Sequence, residues 1–197
     1  MDGAGARTRA LRLASALRRS RTRAALRRLA GDLATALRAR PGPLTDARAA
    51  CRVLCEEMSS RRGGRPVVLR FERFPDEIEV TGLWVEFQDF DLVIVEERAE
   101  AMQQLVILGH ELWHMHAGHR HHAPAAAERV LTDGAPDWAA ALAMAARDGS
   151  READEAEADE FGHRMAAAVR ALLDDRDTDA GPLQRALGYR GRRGTHR

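Results

Sequence analysis

The stretch Gly109-His110-Glu111-Leu112-Trp113-His114 constrains this chain more than any other. It contains H-E-x-x-H. On a helix, positions i and i+4 share a face, so both imidazoles can reach one metal ion. Glu111 projects at a neighbouring angle, where its carboxylate can accept a proton from water without binding the metal itself. Two neutral imidazoles on Zn²⁺ beside a carboxylate base make the arrangement of a zinc hydrolase. The flanking sequence predicts a helix over residues 100–117. Met102, Leu105, Val106, Leu108, Leu112 and Met115 supply apolar faces, no proline interrupts them, and Gly118 is a natural stop. A helix that is apolar nearly all round is buried, and ionisable groups are costly there unless something compensates them. A metal ion would do so. The alternative is a helix whose histidines merely face solvent.

Zinc needs a third protein ligand, and the second acidic run of the chain offers candidates. Gly149-Ser150 opens a helix with Ser150 as its N-cap. Glu152, Asp154 and Glu155 occupy the first turns, where the helix dipole favours acids in any case. Phe161, Met165, Ala168 and Leu172 define an apolar stripe at about 100° per residue. On that wheel Glu157 and Asp154 fall inside the stripe, roughly 40° and 20° from Phe161. Glu152, Glu155, Asp159 and Glu160 point well away. A carboxylate on a packing face wants a cation. Glu157 therefore completes a His₂Glu set with His110 and His114, and Asp154 is its rival.

The remaining sequence divides into three parts. Residues 1–43 read as an Arg-rich helical arm, with eleven Arg against Asp2 and Asp32 in the first forty positions and a break at Pro41-Gly42-Pro43. Leu11, Leu13, Leu17, Leu26, Leu29, Leu33 and Leu37 give it partial helical periodicity. Such a segment is a solvated helix or a contact for nucleic acid, an anionic membrane surface or an acidic partner. Residues 44–175 read as the metal-binding domain. A helix capped by Thr45 or Asp46 carries Ala47, Ala50, Cys51, Leu54 and Met58 on one face. Strands follow at 67–71, within 78–87 and at 90–95, with Gln88-Asp89 as a hairpin turn. The expected class is α+β, with a small, mainly antiparallel three-stranded sheet against the motif helix. Short helices are expected at 124–131 and 137–147, and residues 176–197 read as a basic, partly disordered tail. Cys51 and Cys55 are read as buried free thiols. No membrane span or signal peptide is visible, so a cytoplasmic protein is expected.

The two motifs in order, His110-Glu111-Leu112-Trp113-His114 and Glu155-Ala156-Glu157-Ala158-Asp159-Glu160-Phe161-Gly162, resemble the ImmA/IrrE family of metallopeptidases. The second motif of that family has the form E-x-E-A-[ND]-x-F-A. Gly82-Leu83-Trp84-Val85 and the strand before the motif helix are similar to an actinobacterial branch often labelled as the toxin component of toxin–antitoxin systems. The resemblance covers about residues 45–175. It implies a gluzincin-like core, with His110, His114 and Glu157 as zinc ligands and Glu111 as general base. It further implies an endopeptidase that cleaves a specific regulatory protein, as family members cleave XRE-type helix-turn-helix repressors. Trp113 stands where the family has a small residue, and Gly162 and His163 where small or apolar residues are common. His119 and Tyr189 are candidate donors to the tetrahedral intermediate. Two other classes stay open: a toxin or regulatory binding protein with structural zinc, and a nucleic-acid-binding protein led by the arm.

Overall fold

A computed structural model describes the backbone of residues 3–42, 44–77, 80–119 and 152–186. The elements in order are α1 (Gly3–Ala39), α2 (Ala47–Arg61), β1 (Val67–Glu72), β2 (Gly82–Glu86), β3 (Asp91–Glu96), α3 (Ala101–Ala117) and α4 (Glu152–Ala186). The class is α+β. The expected helices at 124–131 and 137–147, together with His121, His122 and Tyr189, lie outside the described residues.

Of the two candidate caps, Asp46 starts α2: its carboxylate accepts the Ala49 amide hydrogen at 2.8 Å. Glycines 63 and 64, at φ 75° and 86°, then turn the chain into the sheet. β3 is the central strand, and each of its six residues is buried. β2 pairs with it antiparallel, Trp84 opposite Val93, through the short turn that the sequence predicts. β1 pairs with the other edge of β3 in parallel, Leu69 opposite Val93. The sheet is therefore mixed rather than mainly antiparallel. β3 carries the run Leu92-Val93-Ile94-Val95, which gains most from burial on both faces, so it takes the middle and separates the two earlier strands. With β2 reversed relative to β1, β3 necessarily runs along β1 again.

Asp91 anchors the hairpin to the end of α2. It is fully buried and accepts from Trp84 Nε1 and Arg65 Nε, each at 3.0 Å. Arg62 Nε lies 2.9 Å from its Oδ2, an ion pair that lacks hydrogen-bond alignment. Two guanidinium groups offset the cost of burying that carboxylate.

One apolar core joins α2, α3, α4, the inner face of the sheet and the second half of α1. Leu26, Leu29, Leu33 and Leu37 follow i, i+3, i+7, i+11 spacing and are all buried. Leu13 and Leu17, by contrast, are 65% and 59% exposed. The second half of α1, ahead of Pro41-Gly42-Pro43, thus packs into the same core as α2, α3 and α4. Helix α4 continues to Ala186, past the expected start of the tail. Cys51 and Cys55 are buried, and burial pushes the Cys51 thiol up to about 12. No helix of the described residues is long and apolar enough to cross a membrane.

Candidate metal centre

Helix α3 crosses α4 at two glycines. A Cβ on Gly109 would lie 2.8 Å from Gly162 Cα, and one on Gly162 would overlap the Val106 carbonyl oxygen. Only hydrogen fits at either position. This close approach brings the first turns of α4 across the histidines of α3.

Three ligand atoms converge there. His110 Nε2 and His114 Nε2 are 2.9 Å apart, and the Glu155 carboxylate lies 3.2 Å from the first and 3.4 Å from the second. His110, His114 and Glu155 thus form a cluster that can hold a metal ion. Bonds of about 2.0–2.1 Å at tetrahedral angles would set ligand atoms about 3.3 Å apart, close to these distances. The protonation pattern agrees. His110 Nδ1 lies 2.8 Å from an oxygen of Asp159, which only accepts when ionised, so neutral His110 carries its proton on Nδ1. Its Nε2 lone pair then faces His114 Nε2 and the Glu155 carboxylate. Acceptors packed this closely need a proton or a cation among them.

The sequence wheel selected Glu157, and the structure instead brings Glu155 to the histidine pair. The reason is the choice of stripe. The wheel was set by large side chains, but Ala168 and Leu172 are only half-buried. Among the described side chains of α4, those that are buried are Ala158, Phe161, Gly162, Met165, Ala166 and Val169. Their mean direction lies about 70° round from Phe161. Glu155, at about 120° on that side, belongs to the packed face, and Glu157, about 40° to the other side, sits at its margin. The sequence signal that marks this face is the set of small residues, since helices that approach closely do so through glycine and alanine. Glu157 is partly buried, and its carboxyl is raised above the usual range by burial and by Asp154, with His119 opposing.

Glu111 stands next to the cluster and is buried. It accepts the Trp84 backbone N–H, and burial followed by the charge of Glu155 pushes its carboxyl up to about 8. Strand β2 passes closely over it at Gly82: a Cβ there would stand 2.7 Å from Glu111 Oε1 and 2.5 Å from Ile107 Cγ2, so both side chains would have to shift. Solvent enters from the α4 side, where the Glu155 and Asp159 side chains are 40% and 66% exposed, while His114 is only 1% exposed. Trp113 is buried against Phe161 at 5.5 Å between ring centroids and stays within the core. Gly162 makes the helix crossing possible.

No protein-family model, curated protein or solved structure matches the chain.

Proposed function

We propose that this protein is a zinc-dependent endopeptidase of the ImmA/IrrE type that cleaves a regulatory protein, with an XRE-type helix-turn-helix repressor as the substrate class. The observation that carries the reading is a buried carboxylate without a ligand role, Glu111, beside a three-atom acceptor cluster on His110, His114 and Glu155. Zinc, when bound, would supply Lewis acidity toward the scissile carbonyl. Glu111 would accept a proton from the attacking water and return it to the leaving amine. Its environment raises its proton affinity, which suits a group that must both take and give a proton. The Trp84 N–H holds that carboxylate in place. Asp159 fixes the tautomer of His110, as carboxylates behind metal-binding histidines do. β2 is an outer strand of the sheet and runs past Glu111, where an extended substrate segment can add to it. A gluzincin-like core and the toxin–antitoxin connection belong to the same proposal.

A structural zinc site would have no use for Glu111, and that difference supplies the test. Glu111→Gln should retain zinc and cleave an XRE-type repressor encoded beside this gene about 100-fold or more slowly than the wild type. His110→Ala should lose zinc and cleavage together. Equal cleavage by wild type and Glu111→Gln, at equal metal content, would end the enzyme reading.

A further inference from the structure

A second imidazole stands behind His114, and neither motif of the sequence accounts for it. Gly118 closes α3 in the left-handed region at φ 75°, which turns the chain so that the His119 amide donates back to the His114 carbonyl at 3.0 Å. The His119 ring is thereby brought edge-on to the His114 ring, with centroids 5.3 Å apart and Nδ1 to Nδ1 at 3.1 Å. On its far side, His119 Nε2 lies 3.8 Å from Asp154 Oδ1, in ion-pair range but beyond a hydrogen bond. Asp154 belongs to α4 and directly precedes Glu155.

The chemistry allows one consistent proton arrangement if His114 is to present a lone pair at Nε2. His114 must then carry its proton on Nδ1 and donate it to Nδ1 of His119. A neutral His119 that accepts at Nδ1 carries its own proton on Nε2, directed at the Asp154 carboxylate. The Asp154 charge favours the Nε2–H form of His119, and that form accepts at Nδ1 from His114.

We infer that His119, backed by Asp154, is the positioning residue that holds buried His114 in its Nδ1–H tautomer and aims its Nε2 at the cluster with His110 and Glu155; this rests on the metal reading above. His110 and His114 are then oriented by different means, a carboxylate acting directly and a carboxylate acting through an imidazole. The second device links the C-terminal turn of α3 to the residue beside the α4 ligand. Metal binding would therefore depend on the turn at Gly118 as well as on the ligands.

Three variants test it: His119→Phe removes the acceptor, His119→Asn keeps an acceptor oxygen, and Asp154→Asn removes the charge behind it. Zinc affinity would be measured by chelator competition, the melting temperature on the metal-free proteins, and the His114 tautomer by ¹⁵N NMR of metal-free protein. His119→Phe should bind zinc about 10–100-fold more weakly, the usual scale for groups that orient a metal ligand. Its metal-free melting temperature should stay close to that of wild type. His119→Asn should recover much of the affinity, and Asp154→Asn should show a smaller loss. His114 should carry its proton on Nδ1 in wild type and shift toward Nε2 in His119→Phe. If His119→Phe fails to fold, Asp154→Asn and the wild-type tautomer decide. Wild-type affinity in His119→Phe, with zinc binding still dependent on His110, overturns the inference alone, as does His114 protonated on Nε2 in wild type. Zinc binding that is no tighter in wild type than in His110→Ala overturns the metal reading and this inference with it.

Discussion

Glu155 and Glu157 differ by two positions on α4, and that difference separates a ligand from a neighbour. Of the two, only Glu155 reaches both Nε2 atoms. Glu155→Gln should therefore lose zinc on dialysis, while Glu157→Gln keeps it. Retention by the first and loss by the second would return the ligand role to Glu157. Glu111 gives a second test at this scale, through pH. In the metal-free folded protein its carboxyl holds a proton up to about 8, against an ordinary value of 4.5. Between those limits the folded state binds more protons than the unfolded state, so this group lowers stability as pH rises from 4.5 to 8. Below that window it contributes nothing. Glu111→Gln removes the dependence, worth on the order of a few kcal/mol at the upper end. Melting curves of chelator-treated wild type and Glu111→Gln should diverge in favour of the variant between pH 5 and 9, by the same linkage, to within about one pH unit. Parallel curves would show that Glu111 ionises freely.

Helix α1 is two different things along its length. From Leu26 to Leu37 it packs through a leucine stripe, and each buried leucine is worth about 2–5 kcal/mol against alanine. Before residue 25 the same stripe is taken over by arginine. Arg12, Arg19 and Arg23 fall at about the angular position that the buried leucines and alanines hold further on. Arg18, Arg19, Arg21 and Arg23 are exposed and make no ion pair with the described residues. Removing residues 1–24 should leave the melting temperature nearly unchanged, whereas removing 1–37 should abolish cooperative unfolding of the remainder. A stable protein after the longer deletion would show that the leucine stripe is dispensable. The shorter deletion also yields a form in which any contribution of the arm to polyanion binding can be measured without damage to the fold.

Across the whole molecule, the proposed metal joins helices that lie far apart in sequence but side by side in space, α3 and α4. A ligand that binds only the folded state stabilises it by mass action, about 2.7 kcal/mol at one hundred times its dissociation constant. Zinc added to chelator-treated protein should raise the melting temperature, and the same addition to His110→Ala should not. An equal rise in both would place the ion elsewhere. What the sequence determined by itself was whatever depends on local spacing. The i, i+4 histidines with Glu111 between them, the apolar helix that buries them and the Gly118 stop are fixed by helical geometry within one element. So are a cap at Thr45 or Asp46 and the β2–β3 hairpin. What the tertiary structure decided concerns faces and neighbours. Which carboxylate of α4 meets the histidines depended on where α4 crosses α3, and that crossing was set by two glycines whose contribution is the absence of a side chain. Hydrophobic periodicity weighs large residues and cannot register such a contact. The parallel pairing of β1 followed from competition for the central strand position, a property of all three strands together. The share of α1 that belongs to the core depended on how far the partner helices extend, and no residue of α1 encodes that length.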